Sequence, residues 1–133
     1  MSARVVHFEI QADDVDRARA FYGEALGWTF EDYSAAVGGA TYWGITTGDA
    51  ADPGIDGGLL ARPAPTPSHG QGTNAYVCTV QVDDFDATAE AILAPGGVEA
   101  LPKFALPGMA WQGYFLDTEG NTFGIHQADP NAA

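Results

Sequence analysis

The feature that most constrains this chain is an internal repeat. Laying Val5 to Trp28 over Ala75 to Val98, a shift of 70 positions, sets VVHFEIQADDVDRARAFYGEALGW over AYVCTVQVDDFDATAEAILAPGGV. Asp13 and Asp14 fall on Asp83 and Asp84, Asp16 on Asp86, and Gly27 on Gly97. Val15 falls on Phe85 and Tyr22 on Ile92. Each copy reads as a strand, an acidic turn, a helix, a glycine stop and then further strands. A repeat of this kind is one supersecondary unit used twice, which restricts the fold to two alike modules.

Local rules fill in each copy. Asp13 or Asp14 caps the first helix by accepting orphan N–H groups, with negative charge at the positive helix end. Val15, Ala18, Tyr22 and Ala25 recur at helical spacing and form its expected buried face. Gly27 stops it. In the second copy Asp83 or Asp84 caps, Phe85, Ala89 and Ile92 face inward, and Pro95-Gly96-Gly97 ends the helix. The first strand, Arg4 to Gln11, alternates: Val6, Phe8 and Ile10 turn toward the helix, and His7, Glu9 and Gln11 toward the opposite, concave face. In the second copy Tyr76, Cys78, Val80 and Val82 take the helix side, and Val77, Thr79 and Gln81 the other. Further strands are expected at Thr29–Tyr33, Thr41–Thr46, Gly58–Ala61, Ala100–Phe104, Gln112–Leu116 and Thr122–Gln127. The stretch from Arg62 to Thr73, rich in Pro, Gly, Ser and Thr, reads as a linker. The expected organisation is therefore one domain over 1–133, with a first βαβββ module at 1–61, a linker at 62–73 and a second module at 74–133.

Charge excludes whole classes of partner. Eighteen acidic against five basic side chains give a net charge of −13. Nucleic acid needs a basic footprint, and anionic membrane surfaces repel such a chain. A neutral or cationic ligand suits this field. The one cysteine, Cys78, sits in an apolar run, so no disulfide forms within the chain, as suits a reducing cytoplasm. The N-terminus MSARVVHFEI has no signal-peptide core, and no apolar run reaches the roughly 18 residues of a membrane span. A cytoplasmic protein without nucleic-acid or membrane partners is the expectation.

The pattern H-x-E-I-x-x-D-D-x-x-R-A-x-x-F-Y-x-x-x-L-G-W, His7 to Trp28, resembles the opening of vicinal oxygen chelate proteins, the superfamily of glyoxalases, bleomycin resistance proteins and extradiol dioxygenases. G-I-D-G-G-L-L, Gly54 to Leu60, is similar to a sub-branch of its single-domain members. G-Y-F-L-D-T-E-G-N-T-F-G-I, Gly113 to Ile125, is similar to the closing hairpin, with Thr118 where proline is usual. The resemblance implies an α+β fold in which two tandem βαβββ modules form a curved mixed sheet around a cavity, assembled as a homodimer.

Many members of the superfamily hold a divalent metal through four residues on the first and last strands of each module. Carried over one at a time, the first position is His7. Its repeat mate is Val77, the last-strand position is Gly124, and the equivalent position in the first module falls at Gly57 to Leu60. One ligand of four remains, and a single imidazole holds a divalent ion weakly. A shifted set of His7, Glu9 and His126 would be two imidazoles and a carboxylate, suited to Zn, Ni, Mn or Fe. His69 falls in the linker and reads as exposed and uninvolved.

No other chemistry has an anchor. The glycine-rich stretches lack the strand–loop–helix order of a phosphate cradle, and no G-x-S-x-G elbow occurs. The paired aspartates are explained by capping. Aromatic and large apolar side chains remain. By the resemblance, the strands carrying Tyr42 and Trp43, and Met109, Trp111, Tyr114 and Phe115, line the cavity, where flat rings stack on planar or cationic ligands. Trp28 and Phe30, after the helix stop, read as structural. The expected ligand-binding set is His7, Glu9, Tyr42, Trp43, Met109, Trp111 and Phe115, with no catalytic residue assigned. The expected function is small-molecule binding without an essential metal or other cofactor, sequestering an aromatic or cationic, antibiotic-like compound. The alternative is a metal-dependent isomerase, lyase or dioxygenase using His7, Glu9 and His126.

Overall fold

Asp14 starts the first helix. In the computed structural model, which describes residues 3–68 and 76–133, its carboxylate accepts the backbone N–H of Arg17 at 2.9 Å, and α1 runs Val15–Leu26. Asp84 accepts from Ala87 at 3.0 Å, and α2 runs Phe85–Leu93. In each aspartate pair the second residue is the cap, because only it lies three residues before the donor it satisfies. Gly27 ends α1 in the left-handed region at φ 74°. After α2 the chain turns at Gly96, and the Gly97 N–H closes on the Ile92 carbonyl at 3.0 Å.

The chain forms two compact units, one of His7–Tyr76 and one of Met1–Val6 with Val77–Ala133. The first contains β1 (Arg4–Ala12) from His7 onward, then α1, β2 (Thr29–Asp32), β3 (Tyr42–Thr46) and β4 (Asp56–Ala61). Its strands lie in the order β2-β3-β4-β1, with β1 and β4 parallel and the other pairs antiparallel. The second contains β5 (Val77–Gln81), α2, β6 (Val98–Leu106), β7 (Ala110–Leu116) and β8 (Thr122–Ala128), in the order β6-β7-β8-β5. Again only the first-to-last pair, β5 with β8, is parallel. Both units are thus βαβββ modules of one topology, as the repeat requires.

Register fixes the equivalences. Glu9 faces Gly58 as Thr79 faces Gly124, and Gly44 faces Gly58 as Tyr114 faces Gly124. Tyr42 therefore corresponds to Gln112, Ile45 to Phe115 and Leu60 to His126. The shift of 70 contracts on the last strands because residues 47–55 form a longer connection than residues 117–121.

Each module buries its own core. Phe8, Ile10, Ile45 and Leu59 form the first, with Val15, Ala18, Tyr22, Trp28, Phe30 and Trp43 packed against them. Val82, Phe85, Phe115 and Ile125 form the second, with Val80, Ala89, Ile92, Trp111 and Phe123 around them. Some expectations are corrected. Val6 is exposed because it precedes the β1–β4 pairing, which begins at His7. Ala25 and Cys78 are exposed as well. Tyr76 leaves the α2 side: it belongs to the first unit, stacks on Phe8 at 5.5 Å and bonds the Tyr22 hydroxyl at 2.9 Å. Burial and that bond push the Tyr22 hydroxyl up to about 12. β4 begins at Asp56, two residues before its expected start. β6 is longer than expected and irregular between Glu99 and Phe104, where Pro102 has no N–H to give the ladder. His69 and part of the expected linker lie outside the described residues.

Candidate functional site

Strand alternation sets the site. Phe8 and Ile10 are buried in the core, so His7 and Glu9 take the other face of β1. Tyr42 belongs to β3, separated from β1 by β4. Its side chain nevertheless reaches both residues: His7 Nε2 lies 3.0 Å from the Tyr42 hydroxyl, which donates to Glu9 Oε2 at 3.1 Å. Gly58 on β4 permits this crossing. A Cβ at 58 would lie 1.9 Å from the Tyr42 oxygen and 2.3 Å from Cζ. The ring passes over the bare backbone of Gly58, and no other residue type leaves that space.

Electrostatics fixes the protons. Burial holds the His7 pKa below its ordinary value of 6.5, against the smaller opposing pull of Glu9 and Asp56. The imidazole is neutral at pH 7. Because the Tyr42 hydrogen goes to Glu9, its oxygen accepts from His7, which therefore carries its proton on Nε2.

The second module uses a parallel device. Gln112, the counterpart of Tyr42, is 5% exposed and donates through Nε2 to Thr79 Oγ1, 2% exposed, at 3.5 Å. His126 Nδ1 lies 2.8 Å from Gln112 Oε1, and since that oxygen only accepts, Nδ1 carries the proton. A Cβ at Gly124 would lie 2.8 Å from Thr79 Oγ1 and 2.9 Å from Gln112 Nε2. Thr79 and Gln112 do not appear in the expected site. The repeat carried the signal, since the shift of 70 sets Thr79 under Glu9 and Gln112 under Tyr42.

The structure joins His7, Glu9 and Tyr42 by hydrogen bonds in the first module. Tyr42 and Gly44 share one face of β3, so Trp43 takes the opposite face, packs on the core and lies under the Arg19 guanidinium at 3.9 Å. Trp111 packs on the second core, donates to Asp129 Oδ2 at 3.0 Å and carries Lys103 over its ring at 4.7 Å. Phe115 is 1% exposed, with Phe85 and Phe123 each 6.3 Å away. Met109 is 51% exposed, next to the start of β7. His126 is in the second unit, on Gln112.

The superfamily's four-ligand metal set does not fit these residues. His7 Nε2 is committed to Tyr42, and Val77 has no donor atom. Gly58 and Gly124 have no side chain, and the space above each is taken by a neighbouring polar group. Among the described residues, no group of three or more His, Cys, Asp or Glu side chains is arranged to hold a metal ion.

Comparison with known proteins agrees on ancestry. A family model described as bleomycin resistance protein-like N-terminal matches residues 4–34. A glyoxylase-like domain-containing protein of Didymella fabae is 31% identical over 126 residues, 94% of this chain and 94% of its own length. The putative glyoxylase CFP32 of Mycobacterium tuberculosis is 27% identical over 91% of this chain, which spans 44% of that longer protein. Among solved structures, a methylmalonyl-CoA epimerase variant of Streptomyces coelicolor in complex with 2-nitronate-propionyl-CoA aligns with a TM-score of 0.63 at 19% identity, over 98% of both chains. A hypothetical protein of Bacillus halodurans aligns at 0.65 and 14% identity, over 100% of this chain and 99% of that one. At such identities the structural likeness is one of fold.

Proposed function

The chain belongs to the glyoxylase-like proteins of the vicinal oxygen chelate superfamily, and on that premise we propose that it binds a small molecule at the His7–Tyr42–Glu9 face through hydrogen bonds, without a chelated metal. The observation that carries this reading is the Tyr42 hydroxyl over Gly58, bonded to both Glu9 and His7, the one residue that matches a metal position of the superfamily. The proposed ligand is cationic or aromatic. A net charge of −13 draws cations from a distance, and Glu9 and Asp56 supply local negative charge. Sequestration needs affinity alone, so neither a nucleophile nor a base has to be found.

The test is a titration with cationic and polycyclic natural products, followed by calorimetry. At least one compound is expected to bind, with Tyr42→Phe weakening it about tenfold, the worth of one hydrogen bond near a charged group. No binder across the panel, or a binder indifferent to both Tyr42→Phe and His7→Ala, refutes the proposal. A second reading is a metal-dependent isomerase, lyase or dioxygenase with His7 and Glu9 of the first module among its ligands. It is favoured by relatives named as glyoxylase-like and putative glyoxylase. It requires Tyr42 to release His7 Nε2.

A further inference from the structure

Hydrogen-bond polarity narrows what the His7 face can hold. The proton on His7 Nε2 goes to the Tyr42 oxygen at 3.0 Å, and the Tyr42 hydrogen goes to Glu9 at 3.1 Å. Both side-chain donors are consumed within the trio. A neutral imidazole carries a single proton, so what His7 has left is the lone pair on Nδ1, an acceptor. Among the described residues Nδ1 has no hydrogen-bond partner, and His7 is only partly buried.

Asp56 supplies a second acceptor. It is the direct partner of His7 in the β1–β4 register and lies on the same face, where neighbouring strands run about 4.8 Å apart. Its Oδ1 accepts the backbone N–H of Thr47 at 2.8 Å, which holds the carboxylate in place. Its Oδ2 makes no hydrogen bond among the described residues, and Asp56 is exposed. His7, Glu9, Tyr42 and Asp56 together therefore offer acceptors and no uncommitted hydrogen.

We propose that this site selects cations by their N–H groups, taking a planar amidinium or guanidinium that donates to His7 Nδ1 and to the Asp56 carboxylate. The inference rests on the reading that the His7 face binds a small molecule, and it makes Asp56 a specificity-determining residue. Charge-assisted bonds of this kind are about twice as strong as neutral ones. A quaternary ammonium carries the same charge with no hydrogen to give, and a carboxylate brings only acceptors to acceptors.

The test compares benzamidinium with phenyltrimethylammonium by calorimetry and backbone amide NMR. Benzamidinium is expected to bind about tenfold more tightly, with shifts clustered at residues 7–9 and 56–58. The His7 Nδ1 resonance should move as it binds. Asp56→Asn inverts the polarity: the Thr47 N–H keeps the amide oxygen at the Oδ1 position, which puts the NH₂ where Oδ2 was. That variant should erase the preference. Asp83→Asn, the same charge change in the second module beside the capping Asp84, should preserve it. Equal affinity for the two cations, with both weakened by Tyr42→Phe, overturns the N–H selection and leaves small-molecule binding at this face standing. Absence of binding by either cation, shifts that cluster elsewhere, or a preference that survives Asp56→Asn overturns the proposal as well.

Discussion

Phe115→Ala is expected to destabilise the protein by about 3–5 kcal/mol, the cost of removing a buried aromatic ring and leaving a cavity. Phe115 is 1% exposed, lies between Phe85 and Phe123, and joins Val82 and Ile125 in the second core. Interiors are close-packed, and β7 is the middle of three consecutively paired strands, so little collapse can offset the void. Urea unfolding measures the effect. A change under about 1 kcal/mol accompanied by loss of ligand binding would instead make Phe115 a pocket residue.

The second large effect is at Gly58. Replacing a glycine by alanine where the backbone is not left-handed ordinarily stabilises by about 0.4–1 kcal/mol, through the unfolded chain. Gly58 is not among the positive-φ glycines, so only sterics oppose the change. They are severe: the new Cβ would lie 1.9 Å from the Tyr42 oxygen. Overpacking typically costs about 1–3 kcal/mol, which exceeds the entropic gain, so Gly58→Ala should destabilise. Tyr42→Ala removes the obstruction. In that background Gly58→Ala should become neutral or stabilising, a coupling that a double-mutant cycle reads directly. If the two changes add without coupling, Tyr42 does not lie over Gly58.

Much of the fold was legible because the repeat and the helix signals are local. Asp14, Asp84 and Gly27 take the capping roles their residue types suggest, and strand alternation placed Phe8 and Ile10 opposite His7 and Glu9. The site was legible only in part, because a strand's sequence does not say which of its faces meets the helix. Trp43, Trp111 and Phe115 look like pocket aromatics by type, yet each sits out of phase with Tyr42 or Gln112 on its own strand. The repeat resolves the phase when carried past the helix, since Phe115 then falls on Ile45, a core residue. Contact between His7 and Tyr42 was beyond reach. It depends on a glycine in a third strand whose sequence neighbours show nothing of what passes over it.

The most direct test of metal-free recognition is the metal content of the protein purified without added chelator, read by native mass spectrometry beside His7→Ala. With Tyr42 holding His7 and Glu9, neither protein should carry stoichiometric Zn, Ni, Mn or Fe, and the two spectra should agree. One equivalent of metal in the unmodified chain, lost in His7→Ala, would contradict this and make His7 a metal ligand.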